Sequence, residues 1–372
     1  MSAPLPIAKT EFEARLNETQ TLLRSKGLDG LIAFSSYAER EGHVCYLTNH
    51  RISFPNVMSH MGFGHAALVL PLDGAGTLVA PLGVDRANVV GIRSAKVGFD
   101  MIADLSAAVK ENRLDGKKIG VAGMDVVPAE YYFRLQQALL GTGLENANSV
   151  LEEQRIIKSP AEIELLRRAA HIADVGLQAG MEAAREGATE HDVELAARRA
   201  ALDAGADFIP RVRVASGKAP SPLGWPMSKP RWLEKGDIVY LDLIGWYGNY
   251  GFDNSRVRVI GPANAGQKKF LDTVADATQW MVEVLKPGPV EFPFTGARGC
   301  NILAIAHGIG LEVCENPWIT LGAKAAARPG MVICIEPSVV SPEFGTSAIE
   351  DTVLVTEKGT EVLTQCPRVF WE

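Results

Sequence analysis

The sequence lacks an excess of basic charge and has no long apolar run. Its 37 lysines and arginines are outnumbered by 44 aspartates and glutamates, which gives a formal net charge of −7. Without a basic stripe to neutralise phosphates, nucleic acid is not an expected partner. The first residues also lack the basic start and apolar core of a signal peptide, and no segment is long enough to span a bilayer. We therefore expect no membrane partner and a cytoplasmic location.

Cysteine is also scarce in this chain. Five cysteines occur in 372 residues, an odd number without a C-x-x-C pair: Cys45, Cys300, Cys314, Cys334 and Cys366. Such a set argues against a disulfide framework and against a zinc knuckle. Hydrophobic residues make up 47% of the chain and charged residues 22%, values that are typical of a folded globular protein. A chain of this length suits two domains.

The first part of the chain alternates short apolar runs with helical periods. Strands are predicted over residues 29–36, 44–50, 65–71, 76–81 and 117–123, and helices near 8–26, 101–113 and 128–139. This alternation predicts an α/β domain over residues 1–150.

The second part, residues 151–372, has a different pattern. Ser159 and Pro160 are typical of a helix start, and this helix is predicted to end near Arg185. Further elements are predicted as a helix over 190–204, two strands joined by a short turn over 237–261, a helix over 264–286, and strands over 331–339 and 349–356. The pattern indicates a mostly antiparallel sheet backed by helices, and hence the α+β class for the whole chain.

Two acidic residues lie within apolar strand sequences of the second part. Asp242 occurs in IVYLDLIG and Asp253 in the run that follows the next turn, so hairpin pairing would bring the two carboxylates together. A buried carboxylate is costly unless an ion pair or a metal compensates its charge. Arg256 and Arg258 are near in sequence, and a structural ion pair with them is the alternative interpretation.

Three further residues extend this set. His307 lies in AHGIGLEV, Glu336 follows VICI, and Glu350 lies in AIEDTVLV. Gly308 and Gly310 would let backbone and ligand approach closely beside the histidine, although a single histidine is more often a satisfied core residue. If all these segments converge, four carboxylates and one imidazole provide the mixed ligand set of a dinuclear metal site.

The order of these motifs resembles a known family. The series D-x10-D ending in DNSR, then HGIGLEV, PGMVICIEP and IEDTVLVTEKG, is similar to the pita-bread metallohydrolases, which include prolidase, X-prolyl aminopeptidase, methionine aminopeptidase and creatinase. YLTNHR is a weaker similarity near the start of the chain. The resemblance implies a creatinase-like N-terminal α/β domain over residues 1–150, a pita-bread catalytic domain over residues 151–372, and a homodimer.

The resemblance also implies a metal centre and a reaction. Two divalent ions of manganese, iron, cobalt or zinc would be held by Asp242, Asp253, His307, Glu336 and Glu350. Among these, Asp253 and Glu350 would bridge the ions. The expected activity is hydrolysis of a carbon–nitrogen bond in a dipeptide-like (X-Pro type) or small amide substrate, with a metal-bridging hydroxide as nucleophile. Glu336, as proton acceptor, and His307 form the predicted catalytic set together with Cys314, which is either a nucleophile or a small buried residue.

The chain departs from the peptidase motifs at three places. It has no histidine between His191 and His307, where relatives carry one near the position of Gly224. Cys314 replaces a second histidine, and Ala348 replaces an arginine that commonly precedes IED. These replacements remove hydrogen-bond donors for a developing oxyanion, which weighs against ordinary prolidase activity.

Two other functions stay open. The stretch ASG…P…DLIG-x-YG resembles the pita-bread dimethylsulfoniopropionate lyase, so a metal-dependent lyase acting on a small zwitterion is the first alternative. Four aromatic residues could hold its cationic group or could be core residues: Trp225, Trp246, Tyr247 and Tyr250. The second alternative is an inactive pita-bread module that binds peptides or proteins.

Histidines and arginines also cluster in the N-terminal domain. They are His43, His50, His60, His65, Arg40 and Arg51. The resemblance implies that this domain helps to close the active site of a partner subunit. The alternative, which we favour, is a set of unrelated loop residues.

Overall fold

A computed structural model describes most of the chain. The described residues are 7–37, 42–52, 62–81, 83–85, 87–221, 227–290, 301–303, 305–320 and 325–372, with the backbone of 296–297 and 300. The chain divides into two compact units, Met1–Arg155 and Ile156–Glu372. Within the described residues, no helix combines the length and the apolar character that crossing a membrane requires.

The first unit is an α/β sheet structure. Its described elements are α1 (Lys9–Ser25), β1 (Gly30–Ser36), α2 (Gly42–Thr48), β2 (His65–Pro71), β3 (Gly76–Val79), β4 (Ile92–Lys96), α3 (Met101–Glu111), β5 (Lys118–Ala122), α4 (Ala129–Ala138), β6 (Gly143–Asn146) and α5 (Asn148–Ile156), which ends at the division. The sheet has the order β4-β3-β2-β1-β5-β6. Strands β1, β2 and β3 pair antiparallel, and the other neighbours pair parallel.

The prediction of a strand over residues 44–50 is wrong, because this segment forms helix α2. All seven residues of α2 are buried, and a continuously buried apolar run has no periodicity that separates helix from strand. The backbone N–H of Val44 donates to Ser35 Oγ at 3.0 Å, and Thr48 Oγ1 donates to the Val44 carbonyl. Strand β1 pairs with β2 on one side and with β5 on the other. Residues 44–50 therefore could not have joined the sheet as a neighbour of β1.

The second unit is mostly antiparallel sheet with three helices among its described residues. Its elements are α6 (Pro160–Ala183), α7 (Glu190–Asp203), β7 (Phe208–Gly217), β8 (Ile238–Tyr247), β9 (Tyr250–Val259), α8 (Ala265–Val284), β10 (Gly288–Val290), β11 (Gly296–Ala297), β12 (Cys300–Leu303), β13 (Ile305–Gly308), β14 (Glu315–Thr320), β15 (Ala325–Ala327), β16 (Val332–Ile335), β17 (Ser338–Ser341), β18 (Gly345–Ala348), β19 (Asp351–Thr356) and β20 (Gly359–Val362). The strand orders are β7-β8-β9, β14-β13-β16-β19-β20, β11-β12-β17-β18 and β10-β15. The predicted α+β class is confirmed.

Helix α6 covers one face of the β7-β8-β9 sheet. Ser159 and Glu162 form a capping box at its start, as the Ser-Pro signal predicts. Gly176 and Gly180 lie where a Cβ atom would collide with Leu243 and Leu241 of β8, so glycine allows this close approach. Because side chains alternate along a strand, the residues between these leucines point to the opposite face of the sheet.

The predicted strand over residues 331–339 is two strands in different sheets. β16 ends at Ile335, and β17 begins at Ser338 in the β11-β12-β17-β18 sheet. Pro337 has no N–H group and cannot continue the β16 ladder. Glu336 therefore lies at the point where the chain leaves one sheet for the other.

Candidate metal centre

Asp242 and Asp253 lie on the same face of the β8–β9 hairpin. The register places Asp242 opposite Ser255 and Asp253 opposite Ile244. The two carboxylates are therefore diagonal neighbours across the ladder, on the face opposite to α6. Both residues are buried. The hairpin thus brings the two acids together as the sequence predicts.

His307 contributes its imidazole from β13. Its Nε2 atom lies 3.8 Å from Asp253 Oδ2 and 3.9 Å from Glu336 Oε1. Its Nδ1 atom lies 3.0 Å from the Gly308 carbonyl oxygen, which can only accept a hydrogen bond. Nδ1 is therefore protonated in the neutral ring, and Nε2 presents its lone pair to the carboxylates.

Glu350 completes the group from the residue before β19. Tyr240 donates its hydroxyl proton to Glu350 Oε1 at 3.0 Å. Glu350 Oε2 and Asp242 Oδ1 are buried and have no hydrogen-bond partner among the described residues. One ligand atom from each of Asp242, Asp253 and Glu350 lies within 4.8 Å of the others. The structure thus brings together all five residues that the sequence predicts as a metal site.

The electrostatics of this cluster require compensating charge. Burial and the neighbouring carboxylates raise the pKa values of Asp242 and Asp253 well above their usual range. Burial, with a further effect from Glu350, raises the pKa of Glu336 to about 8. Burial lowers the pKa of His307, so its ring is neutral near pH 7. Four such carboxylates are not all ionised unless cations join them. Oxygen and imidazole donors suit divalent transition metals, and the oxygen atoms without partners fit this assignment.

Comparison with known proteins follows the same division of the chain. Residues 164–357 match the model of metallopeptidase family M24, and residues 15–157 match the creatinase/prolidase N-terminal domain. The chain is 31% identical over 375 residues to the probable dipeptidase PepE of Mycobacterium tuberculosis. The aligned region covers 96% of this chain and 95% of that protein. This chain belongs to metallopeptidase family M24.

Two other relatives agree with this membership. The Xaa-Pro dipeptidase of Pyrococcus horikoshii is 32% identical over 235 residues, which are 60% of this chain and 67% of that protein. The structure is similar to the recombinant prolidase from Thermococcus sibiricus, with a TM-score of 0.81 over 96% of this chain and 98% of that one. At 24% sequence identity, this second likeness concerns the fold alone. The predicted pita-bread, prolidase-like membership is confirmed.

Arg213 is a member of the site that the sequence did not predict. It lies directly opposite Asp242 in the β7–β8 ladder, and its Nη1 atom is 3.1 Å from Asp242 Oδ2. The two arginines considered as ion-pair partners point elsewhere: Arg256 pairs with Asp351 at 2.8 Å, and Arg258 donates to the Met181 carbonyl. The alternation of apolar residues and arginine in RVRVASG is the signal that could have placed Arg213 on this face.

Gly308 and Gly310 have a packing explanation. A Cβ atom on Gly308 would collide with the backbone of Asn316, and one on Gly310 would collide with the Glu315 carboxylate. Glu315 is held by a buried ion pair with Lys158, at 2.7 Å between Nζ and Oε1. The glycines therefore let β13 pack closely against its neighbour β14. This packing orients the His307 side chain.

Cys314 lies next to the imidazole. Its Sγ atom is 3.7 Å from His307 Nε2, although the residue as a whole is exposed. The protein around the sulfur, followed by the carboxylates of Asp253 and Glu336, raises the pKa of the thiol far above its ordinary value. A thiol with a raised pKa is a poor nucleophile, which weighs against the nucleophile alternative, while the exposure of the residue differs from the predicted buried position.

Trp318 is a second residue beside the site that the sequence did not identify. It faces His307 across the β13–β14 pair, with 5.2 Å between the ring centroids. Its exposed fraction of 49% is unusual for an indole, because large aromatic side chains are mostly buried. The imidazole therefore has an open aromatic surface on one side.

The aromatic residues near Asp242 have structural roles. Trp246 is buried and donates its Nε1 proton to the Leu311 carbonyl, and Tyr250 is buried and donates to Glu162 Oε1. Tyr247 is half-buried and lies beneath the Arg168 guanidinium at 6.0 Å. Trp225 and Gly224 lie outside the described residues. The described members favour the core interpretation over a cradle for a cationic ligand.

Two of the N-terminal histidines are not loop residues, whereas His50 lies outside the described helices and strands, as the loop interpretation predicts. His43 lies in α2 and His65 in β2, and both are buried. His43 Nδ1 is 3.2 Å from Arg155 Nη1, so this histidine contributes to the interior of the first unit. Burial lowers the pKa of His50 to about 4. Arg40 and His60 lie outside the described residues.

Proposed function

We propose that this chain is a metal-dependent hydrolase that cleaves a carbon–nitrogen bond in dipeptides or small amides. The observation that carries the proposal is a buried group of four carboxylates and one imidazole, two of whose oxygen atoms lack hydrogen-bond partners among the described residues. Membership of metallopeptidase family M24 supports a metal-dependent reaction at this group of residues. The relatives named as dipeptidases support a dipeptide as the substrate.

The residues proposed to hold divalent ions are the five that converge in the structure: Asp242, Asp253, His307, Glu336 and Glu350. Divalent ions bound there would polarise the scissile carbonyl and lower the pKa of a water molecule. Tyr240 keeps Glu350 in place through its hydrogen bond. The Gly308 carbonyl holds the imidazole in the tautomer whose Nε2 faces the centre.

Glu336 is proposed as the group that moves the proton. Its side chain is 26% exposed, whereas those of Asp242 and Asp253 are 2% and 7% exposed. It is therefore the carboxylate most accessible to water and substrate. We infer that it takes a proton from the attacking water and delivers it to the leaving nitrogen.

Trp318 is proposed to contact the substrate. Its exposed indole, beside the His307 ring, offers an apolar surface for a side chain or a proline ring. The lyase alternative gains no support, because the relatives described above are named as dipeptidases and a prolidase. The inactive-module alternative is likewise unsupported, since the acidic group is complete.

The test is a substrate panel with defined products. Chelator-treated protein is reloaded separately with manganese, cobalt or zinc and offered X-Pro dipeptides, other dipeptides, small amides and a sulfonium zwitterion. We expect cleavage of a dipeptide, with heavy oxygen from labelled water in the new carboxylate. Asp253→Asn should be slower by more than about 100-fold, because loss of a direct ligand exceeds the cost of losing an outer partner. Asp203→Asn, which changes an exposed acid on α7, is the matched control.

Two outcomes contradict the proposal. Release of an unsaturated acid from the zwitterion would replace the hydrolase with a lyase. Metal-loaded protein that turns over none of the amides or dipeptides would end the hydrolase proposal. The homodimer and the cytoplasmic location stay predictions, and sedimentation of the full chain tests the first of them.

A further inference from the structure

Cys314 places a thiol beside the nitrogen that the His307 ring turns toward the carboxylates. Its Sγ atom lies 3.7 Å from Nε2. The ring proton is on Nδ1, because that atom faces the Gly308 carbonyl oxygen at 3.0 Å. Nε2 can therefore only accept a hydrogen bond, and the thiol is the donor between the two atoms. A cation that replaced this proton would meet lone pairs of nitrogen and of sulfur together.

The distance between the two atoms suits two ligands of one ion. Zinc bonds are about 2.3 Å long to a cysteine sulfur and about 2.1 Å long to an imidazole nitrogen. With 3.7 Å between the ligand atoms, two such bonds meet at about 115°, close to the tetrahedral angle. Asp253 Oδ2 and Glu336 Oε1 lie 3.8 and 3.9 Å from the same nitrogen, so these carboxylates can complete a set of four ligands.

The neighbouring residue in the chain holds Cys314 in this position. Glu315 begins β14, and it pairs with Gly308 of β13. Its carboxylate forms a buried ion pair with Lys158, at 2.7 Å. Because the backbone beside Cys314 is fixed in this way, its short side chain loses little conformational entropy on binding an ion.

A second cysteine near His307 has different surroundings. Cys334 is buried opposite His307 in the β13–β16 pair, and its sulfur lies with ligand atoms of Asp253 and His307 in a group within 4.8 Å of one another. Its thiol donates to the Asp253 backbone carbonyl at 3.3 Å. The Cys334 thiol is thus bonded to the backbone, whereas the Cys314 thiol is directed to a candidate ligand atom.

We propose that Cys314 is a sulfur ligand to the divalent ion held at His307, and that this sulfur makes the centre prefer thiophilic ions such as Zn²⁺ and Cd²⁺. The inference rests on the metal-dependent function proposed above, which the partnerless buried oxygens of Asp242 and Glu350 support independently of the thiol. On binding, the thiol proton passes to water, and the electron pair of the S–H bond stays on sulfur, which bonds to the ion. Thiolate ligands select zinc-like ions, whereas manganese suits oxygen ligands.

Cobalt gives a sulfur ligand a spectroscopic signature. The chelator-treated full chain is loaded with Co²⁺, and the near-ultraviolet charge-transfer band between thiolate and cobalt is recorded. We expect this band in wild type and in Cys334→Ala, the matched control, and we expect its loss in Cys314→Ala. Circular dichroism verifies that each variant is folded.

Ion affinities separate a sulfur ligand from a residue that only packs. In Cys314→Ala the affinity for Cd²⁺ should fall by more than about 100-fold, because loss of a direct ligand exceeds the cost of losing an outer partner. The affinity for Mn²⁺ should fall by less than about tenfold, since this ion depends little on sulfur. Equal losses for the two ions would overturn the stated preference for thiophilic ions.

X-ray absorption at the zinc edge gives an answer that depends on no variant. A sulfur atom about 2.3 Å from zinc is expected in the wild type. Zinc bound by oxygen and nitrogen atoms alone, or a cobalt band that persists in folded Cys314→Ala, would overturn the inference and leave the proposed function standing. Failure of wild type to bind any of these ions would instead contradict the proposed function itself.

Discussion

Glu350 and Asp351 are neighbours in the chain and are both buried, but they have opposite electrostatic surroundings. Asp351 accepts hydrogen bonds from Arg256, Arg368 and Thr364, at 2.8, 2.6 and 2.8 Å. These partners outweigh its burial and hold the pKa of Asp351 below its ordinary value. Glu350 accepts a hydrogen bond from Tyr240, with a further one from Ser255, but has no cation as a direct partner among the described ion pairs, and its pKa is raised by burial and by Asp242.

The difference separates a structural ion pair from a site that needs a ligand. Around Asp351 the chain supplies the compensating cations, so this group is complete without an ion. Around Glu350, the described residues supply one arginine, Arg213, which is paired with Asp242. Arg256 connects the two regions, because its Nη1 atom donates to the Glu350 carbonyl at 2.7 Å. The ion pair thus fixes the backbone from which the candidate ligand projects.

The largest effect is expected from breaking the ion pair between Asp351 and Arg256. Asp351→Asn removes the charge that faces the buried guanidinium of Arg256, and we predict a loss of about 3–5 kcal/mol in the free energy of unfolding. Urea denaturation should give the same loss with chelator and with saturating Mn²⁺. A loss that disappears when metal is added would mean that Asp351 belongs to the metal centre.

The neighbouring substitution should behave in the opposite way. Glu350→Gln is expected to leave the metal-free protein as stable as wild type or more stable near pH 8, because the amide is not charged and burying it costs less. Its affinity for Mn²⁺ should fall by more than about 100-fold. Calorimetric titration measures this fall, and Glu357→Gln, an exposed change in the following turn, is the control. Unchanged affinity would remove Glu350 from the ligand set.

A smaller effect is expected from removing the Tyr240 hydrogen bond to Glu350. Tyr240→Phe removes the hydrogen bond to Oε1, so the carboxylate is less firmly oriented, and Mn²⁺ affinity should fall by about 10- to 100-fold. The ring itself stays in the core, where Tyr240 is buried, so the melting temperature should change little. If melting falls while affinity holds, Tyr240 has only a packing role.

The pH dependence of the free energy of unfolding should also distinguish the candidate metal centre from the Asp351 ion pair. The pKa of Glu336 in the folded protein is raised from its ordinary 4.5 to about 8, so the metal-free native state binds more protons than the unfolded state over this range. The free energy of unfolding should therefore fall as pH rises from about 5 to about 8, by up to about 1.4 kcal/mol per pH unit for each extra proton.

The pKa of Asp351 is shifted the other way, so its contribution is present above its ordinary pKa and is lost as pH falls through the lowered value. Urea denaturation from below the ordinary pKa of Asp351 up to about pH 8, with chelator and with Mn²⁺, tests both signs. Bound metal should abolish the alkaline decline, since the carboxylates no longer hold protons. A metal-free protein whose stability is flat up to about pH 8 would contradict this electrostatic account.

Much of the fold could be predicted from the sequence, because local signals agreed with the tertiary structure. The Ser159-Pro160 signal correctly predicts the start of α6, and the two strands around the turn at 248–249 pair as the hairpin that places Asp242 and Asp253. The α2 segment was missed because its burial is complete on every side. The division between β16 and β17 depended on Pro337, whose effect could have been recognised.

The candidate metal ligands could be predicted from the sequence, but two other residues beside the site could not. The five converging residues each lie in a strand or beside one, in motifs with a recognisable order. Arg213 was missed because its partner is set by the β7–β8 register, and about twenty residues separate the ends of these strands. Trp318 was missed because its exposure follows from the position of β14 at the edge of its sheet. Both features depend on strand pairing that local sequence patterns do not determine.

The central claim is that the five converging residues hold divalent ions: Asp242, Asp253, His307, Glu336 and Glu350. The most direct measurement is anomalous diffraction at the manganese edge, from crystals of the full chain grown with Mn²⁺. We predict a peak within about 2.5 Å of the carboxylate oxygens and of His307 Nε2. A well-ordered site with no peak, or a peak bound only by other residues, would contradict the account.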